Sequence, residues 1–126
     1  SKKLRNSRKT LKNVKSVLIL DDQRSIHQAF KDANLDLIVF RKLTSIVLVR
    51  NMFEARSILD ELTFDMWILY NDLGPGEEGH AFLQEYIDVE PEKLPRLLVS
   101  CSANPVRREG IEALFRNYRN FEQGIR

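Results

Sequence analysis

Two adjacent carboxylates, Asp21-Asp22, end the apolar run Val17-Leu18-Ile19-Leu20. Such a pair repels itself, more so where water is scarce, and a divalent cation or a basic partner relieves the repulsion. Mg2+ is the natural cation, because it takes hard oxygen ligands and needs only one or two carboxylates beside water and phosphate. Asp72, just past the run Met66–Tyr70, offers a third oxygen if its strand neighbours the first. Arg24, two residues beyond the pair, could balance its charge or hold an anion in a bidentate grip. A third apolar run, Leu97-Leu98-Val99, stops at Ser100-Cys101-Ser102-Ala103-Asn104-Pro105. Ser102 stands ahead of a helix whose first N–H groups suit a phosphoryl oxygen. The expected set is therefore Asp21, Asp22 and Asp72 for a metal, Asp22, Asp72 and Ser102 for chemistry, and Arg24, Ser100 and Asn104 for the ligand. The plainer alternatives are a solvated Asp pair capping the next helix and a Ser102 hydroxyl that does the same for the last one.

Other chemically competent residues carry less. Gly74-Pro75-Gly76 lacks the lysine and the spacing of a P-loop and reads as a flexible flap. His80, at a helix start, is more simply a surface residue than an acid/base. Cys101 is the only cysteine, so it forms no internal disulfide and reads as a small buried hydrophobe. The aromatic residues Phe53, Trp67, Phe82 and Phe115 sit at core periods.

The elements that must position these groups follow from the hydrophobic pattern. Val17–Leu20, Ile46–Val49, Met66–Tyr70 and Leu97–Val99 are unbroken apolar runs, as expected for parallel strands covered on both faces. Leu37–Phe40 is also strand-like. Ser25 caps a helix through Ile26, Ala29 and Phe30 that ends near Asn34. Asn51 caps a second over Met52–Leu62, with Phe53, Ala55, Ile58, Leu59 and Leu62 on its buried side. A third spans His80–Val89, burying Phe82, Leu83, Tyr86 and Ile87. Asn104 and Pro105 suit the cap and first position of a fourth, with Ile111, Leu114 and Phe115 facing inward and Phe121 in a docked terminal segment. This strand–helix alternation predicts an α/β three-layer sandwich with a parallel sheet of four to five strands. Ligands of such sheets bind outside the carboxyl ends of the strands, where the candidate residues fall.

At 126 residues the chain has the size of one domain. Its net charge of +2 hides an asymmetry. Residues 1–16 hold seven of the 20 basic groups and no acid, leaving 13 basic against 18 acidic groups in residues 17–126. A basic tail, residues 1–16, ahead of an acidic domain, residues 17–126, is one pattern that points to nucleic acid or an anionic surface, here through residues 1–15. The tail has no aromatic residues for base stacking, and a solvated tail is the plainer reading. No apolar run approaches the roughly 18 residues of a membrane span, and no secretory signal is visible. The cytoplasm is the expected compartment.

The order of elements, Asp21-Asp22 after the first strand, the acid after the third and Ser102-Ala103 after the fourth resemble the receiver domain of two-component response regulators. More narrowly, Leu20-Asp21-Asp22-x-Arg24, Asp72-Leu73-Gly74 with Gly79, and Ser102-Ala103-Asn104-Pro105-Val106 followed by Arg107 are similar to the cyclic-phosphate-processing receiver-like family. The resemblance covers roughly residues 17–118. It implies a flavodoxin-like, receiver-like fold with an acidic pocket that senses or processes a phosphate or cyclic phosphate of a nucleotide-like ligand with Mg2+. Two departures stand out. The family's Asp-x-Asp-Leu-Gly reads Tyr70-Asn71-Asp72-Leu73-Gly74 here, so the acid at the usual phosphoacceptor position is gone. No lysine follows Lys93 to clamp a phosphoryl group, and the receiver pattern is truncated at the C-terminus. The alternative implied is a degenerate pseudo-receiver that binds protein or nucleic acid without catalysis or phosphorelay.

Overall fold

The unbroken apolar runs assemble as the sheet of an α/β fold. The computed structural model describes residues 13–35, 43–73, 78–101 and 105–122. In chain order the elements are β1 Ser16–Leu20, α1 Ile26–Asp32, β2 Ser45–Val49, α2 Met52–Glu61, β3 Met66–Leu69, α3 Gly79–Val89, β4 Leu97–Ser100 and α4 Pro105–Glu122. A short 3-10 turn, Pro91–Lys93, leads into β4. All strand pairs are parallel, in the order β2-β1-β3-β4. The inner strands β1 and β3 are buried almost throughout, whereas most residues of the outer strands β2 and β4 are only partly buried. That is the expected result of an inner strand flanked by strands on both sides and an outer one flanked on a single side among the described residues.

Local signals place the helix ends. Ser25 Oγ accepts from the Gln28 N–H (3.1 Å), and Asn51 Oδ1 accepts from the Glu54 N–H (2.8 Å). Helix α1 stops at a left-handed Asn34, φ 56°. The Leu35 N–H reaches back to the Phe30 carbonyl and the Asn34 N–H to that of Lys31, the paired bonds of a Schellman motif.

The core gathers on both sides of β1 and β3. Trp67, Phe82 and Tyr86 form a mutually packed trio with ring centroids 5.0–5.7 Å apart. Val14, ahead of β1, is also fully buried.

Three expectations need correcting. Phe53 is exposed, because at about 100° per residue it stands nearly opposite Ala55, the residue that faces the sheet. Leu62 is exposed because it is the C-cap, where the backbone turns extended and leaves the buried stripe. Phe121 is exposed and lies within α4 itself; about 15 Å of helix separates it from the buried Ile111, which carries it past the core. The strand-like Leu37–Phe40 and the basic segment up to Lys12 lie outside the described residues. No helix among the described residues is long and apolar enough to cross a membrane.

Candidate functional site

The chain leaves β1 toward β2 on one side of the sheet and leaves β3 toward β4 on the other. The crevice between the carboxyl ends of β1 and β3 is therefore the topological switch point, the usual ligand position in such sheets. Backbone pairing runs one residue past the strands. The Asp21 N–H donates to the Val49 carbonyl (3.1 Å), Tyr70 N–H to Leu20 (3.2 Å) and Cys101 N–H to Leu69 (3.0 Å). Asp21, Tyr70 and Cys101 thus follow directly on three neighbouring strands.

Asp21 is fully buried. Its carboxylate accepts from the backbone N–H of Arg24 and, at 3.1 Å, from the Arg24 guanidinium. The same guanidinium lies 3.3 Å from Asp32 and is centred 4.6 Å above the Tyr70 ring. Tyr70 closes the circuit, its hydroxyl donating to Asp32 at 2.8 Å. Asp32 also accepts from the Gln28 amide at 2.6 Å, and the Arg24 carbonyl accepts from Arg50 Nη1 at 2.7 Å. Charge-assisted bonds and a cation over an aromatic face make this a tightly held cluster.

The electrostatics agree with the geometry. Burial works against the charge on Arg24, but Asp21, Tyr70 and Asp32 outweigh it and hold the guanidinium pKa above its ordinary value. Burial, reinforced by the bond to Asp32, pushes the Tyr70 phenol well up. Burial and the charge of Asp32 push the Cys101 thiol up to about 12, with the Tyr70 hydroxyl working in the opposite direction.

The remaining candidates separate. Asp22 is half-buried beside Asp21, and Asp72 is exposed, in an isolated antiparallel bridge with Glu78. Ser100 is buried and its hydroxyl has no hydrogen-bond partner among the described residues. Ser102 and Asn104, with the expected cap of α4, lie outside the described residues, as does the Gly74–Gly76 flap. His80 is exposed at the start of α3. Asp32 and Arg50 had no local signal: Arg24 and Asp32 are eight positions apart with a helix cap between them, and only the folded chain brings them together.

Asn71 acts on the rim's backbone. It is buried, its Oδ1 accepts from the His80 N–H (3.1 Å) and its carbonyl from the Gly79 N–H (2.9 Å). The β3 end therefore caps α3, which receives no side-chain cap from its own Glu78. A Cβ on Gly79 would stand 2.6 Å from the Tyr70 carbonyl oxygen, so only glycine permits this approach.

Among the described residues no three carboxylate, histidine or cysteine groups are arranged to hold one metal ion. Asp21, the buried member of the expected triad, spends its oxygens on Arg24. As arranged, these side chains do not fit Mg2+ unless Arg24 moves.

Structural comparison gives the class of fold: the neighbours are response-regulator receiver domains. The MaeR response regulator bound to beryllium trifluoride superposes with a TM-score of 0.56 at 19% identity, covering 79% of this chain and 76% of that one. The phosphorylated cyanobacterial phytochrome response regulator RcpA gives the same TM-score and identity, over 79% and 74%. A mutant receiver domain of the histidine kinase CKI1 from Arabidopsis thaliana gives 0.54 at 20% identity, over 86% and 81%. At these identities the likeness establishes the fold, a receiver-like parallel sheet flanked by helices. No protein-family model and no curated protein matches the sequence.

Proposed function

We propose that this chain is a receiver-like regulatory module that works by docking other molecules and does not pass phosphoryl groups. The observation that carries this reading is Tyr70. It stands at the end of β3 where the resemblance puts the acceptor acid, and it is 3% exposed with its hydroxyl donated to Asp32. A buried phenol with a raised pKa is a poor nucleophile toward a phosphoryl donor at neutral pH. Of the carboxylates expected to hold a cation there, the buried Asp21 is engaged by Arg24. The docking element is the basic segment within residues 1–15, suited to nucleic acid, or the exposed face of α4, suited to a protein. Incubation with acetyl phosphate and Mg2+ followed by intact-mass analysis tests the reading. No mass gain is expected; one acid-labile phosphoryl group on Asp22 or Asp72 refutes it. Salt-dependent RNA or DNA binding that disappears on deleting residues 1–15 identifies the tail as the docking element.

A second reading is favoured by one observation, the buried Ser100 hydroxyl without a partner among the described residues. Here the pocket senses or processes a phosphate or cyclic phosphate, and Arg24 swings out. Asp21, Asp22 and Asp72 would then hold Mg2+, which would neutralise phosphate charge, while Arg24, Ser100, Ser102 and Asn104 bind the ligand. Calorimetric titration with Mg2+ and a 2′,3′-cyclic nucleotide tests it. Binding abolished by Asp22→Ala supports it; no binding, or binding unchanged in that variant, refutes it.

A further inference from the structure

We propose that Arg24 is the built-in cation of this domain: its guanidinium, seated between Asp21 and Asp32 over the Tyr70 ring, does the charge-neutralising work of a divalent ion and makes the rim independent of Mg2+. The inference rests on the first functional reading and deepens it. Three observations carry it. The guanidinium touches both carboxylates at once, 3.1 Å from Asp21 and 3.3 Å from Asp32. Its planar fork of donors suits that span, which a point charge such as lysine would not bridge in the same way.

The residue is also pinned where it must be. Its N–H donates to Asp21, its carbonyl accepts from Arg50, and the aromatic face of Tyr70 supports the cation. Third, Tyr70 contributes what an acid in its place could not. A carboxylate there would add a negative charge to Asp21 and Asp32 and demand more compensation than one guanidinium supplies. A phenol instead donates a hydrogen bond to Asp32 and offers its ring to Arg24. The phenol at position 70 and the captured Arg24 are complementary parts of one arrangement. A tethered cation is present at fixed occupancy, so the surface this rim presents to a partner does not follow the Mg2+ concentration.

The test uses the whole chain. In wild type, the Arg24 Nε–Hε resonance is expected to stay unmoved on titration with MgCl2. The melting temperature, read from the single buried tryptophan, Trp67, is expected to be the same in MgCl2 and in chelator. Arg24→Gln removes the charge and is expected to melt lower in chelator and to recover saturably with MgCl2, while Arg24→Lys responds less. If Arg24→Gln fails to fold in either buffer, Arg24→Lys, which keeps a charge but bridges the two carboxylates less well, takes its place and is expected to show a smaller saturable recovery with MgCl2. A saturable Mg2+ response of wild type, or a flat response of the folded variant, overturns the proposal. Phosphoryl transfer to wild type would instead overturn the functional reading, so the two failures are distinguishable.

Discussion

Replacing Gly79 by alanine probes the joint on which the rim depends. The new Cβ would meet the Tyr70 carbonyl oxygen at 2.6 Å, and the Asn71 Cα and Leu69 Cγ at 3.1 Å. The first two are backbone atoms of the β3 end and cannot rotate aside. Helix α3 must therefore lift, at an overpacking cost of about 1–3 kcal/mol. Lifting it also stretches the bonds from Gly79 N–H and His80 N–H to Asn71, each worth about 1 kcal/mol. Alanine's better helix propensity offsets up to about 1 kcal/mol. The expected net loss is about 3 kcal/mol. With an unfolding entropy of about 2.1 cal/mol/K per residue over a domain of this size, that lowers the melting temperature by roughly 10 °C. Urea and thermal unfolding followed by Trp67 fluorescence provide the assay. Gly110→Ala is the control, because nothing lies within 4 Å of its added Cβ in the middle of α4. It is expected to stabilise by about 0.5–1 kcal/mol. A loss under about 1 kcal/mol in Gly79→Ala, or an equal loss in Gly110→Ala, would refute the close-approach argument.

Other outcomes follow from the same rim. Asn71→Ala leaves the His80 N–H without its acceptor and is expected to cost about 1–2 kcal/mol by urea unfolding, with faster amide exchange confined to the first turn of α3. Tyr70→Phe removes the donor to Asp32 while keeping the ring under Arg24, for an expected loss of about 1–3 kcal/mol; an unchanged unfolding midpoint would count against the network. Cys101 should react with iodoacetamide far more slowly in the folded protein at neutral pH than in urea, because its thiol is pushed up to about 12. Its raised pKa also makes a stability statement. The contribution is fully present below the unfolded thiol's value and declines as pH rises from about 9 toward about 12. Cys101→Ala should flatten that alkaline decline, which equilibrium unfolding across the pH series would measure.

Much of the architecture was legible in the chain. Unbroken apolar runs announce strands covered on both faces, Ser25 and Asn51 announce helix starts, and strand–helix alternation leaves few topologies besides a parallel sandwich. These signals are local or periodic, and the folded chain obeys them. The same periodicity misplaced Phe53, Leu62 and Phe121, because apolar character marks a residue as able to be buried without stating which azimuth of a helix meets the sheet or where the sheet ends.

The site divides along the same line. Sequence alone set Asp21-Asp22 at the mouth of β1 and put Tyr70 where an acid was expected, since both lie directly next to strands that periodicity defines. It could not decide what Asp21 faces. By local pattern Arg24 suits an anion outside or a carboxylate inside equally well, and the choice depends on Asp32 one helix away and on Tyr70, 46 residues later in the chain. Only the packing of α1 against the β3 end brings those partners within 3.3 Å of one guanidinium or under its face. A strand-end residue inherits its position from local pattern, but its partner is set by contacts between elements, and there the tertiary structure set the buried carboxylate of the expected metal triad against Arg24.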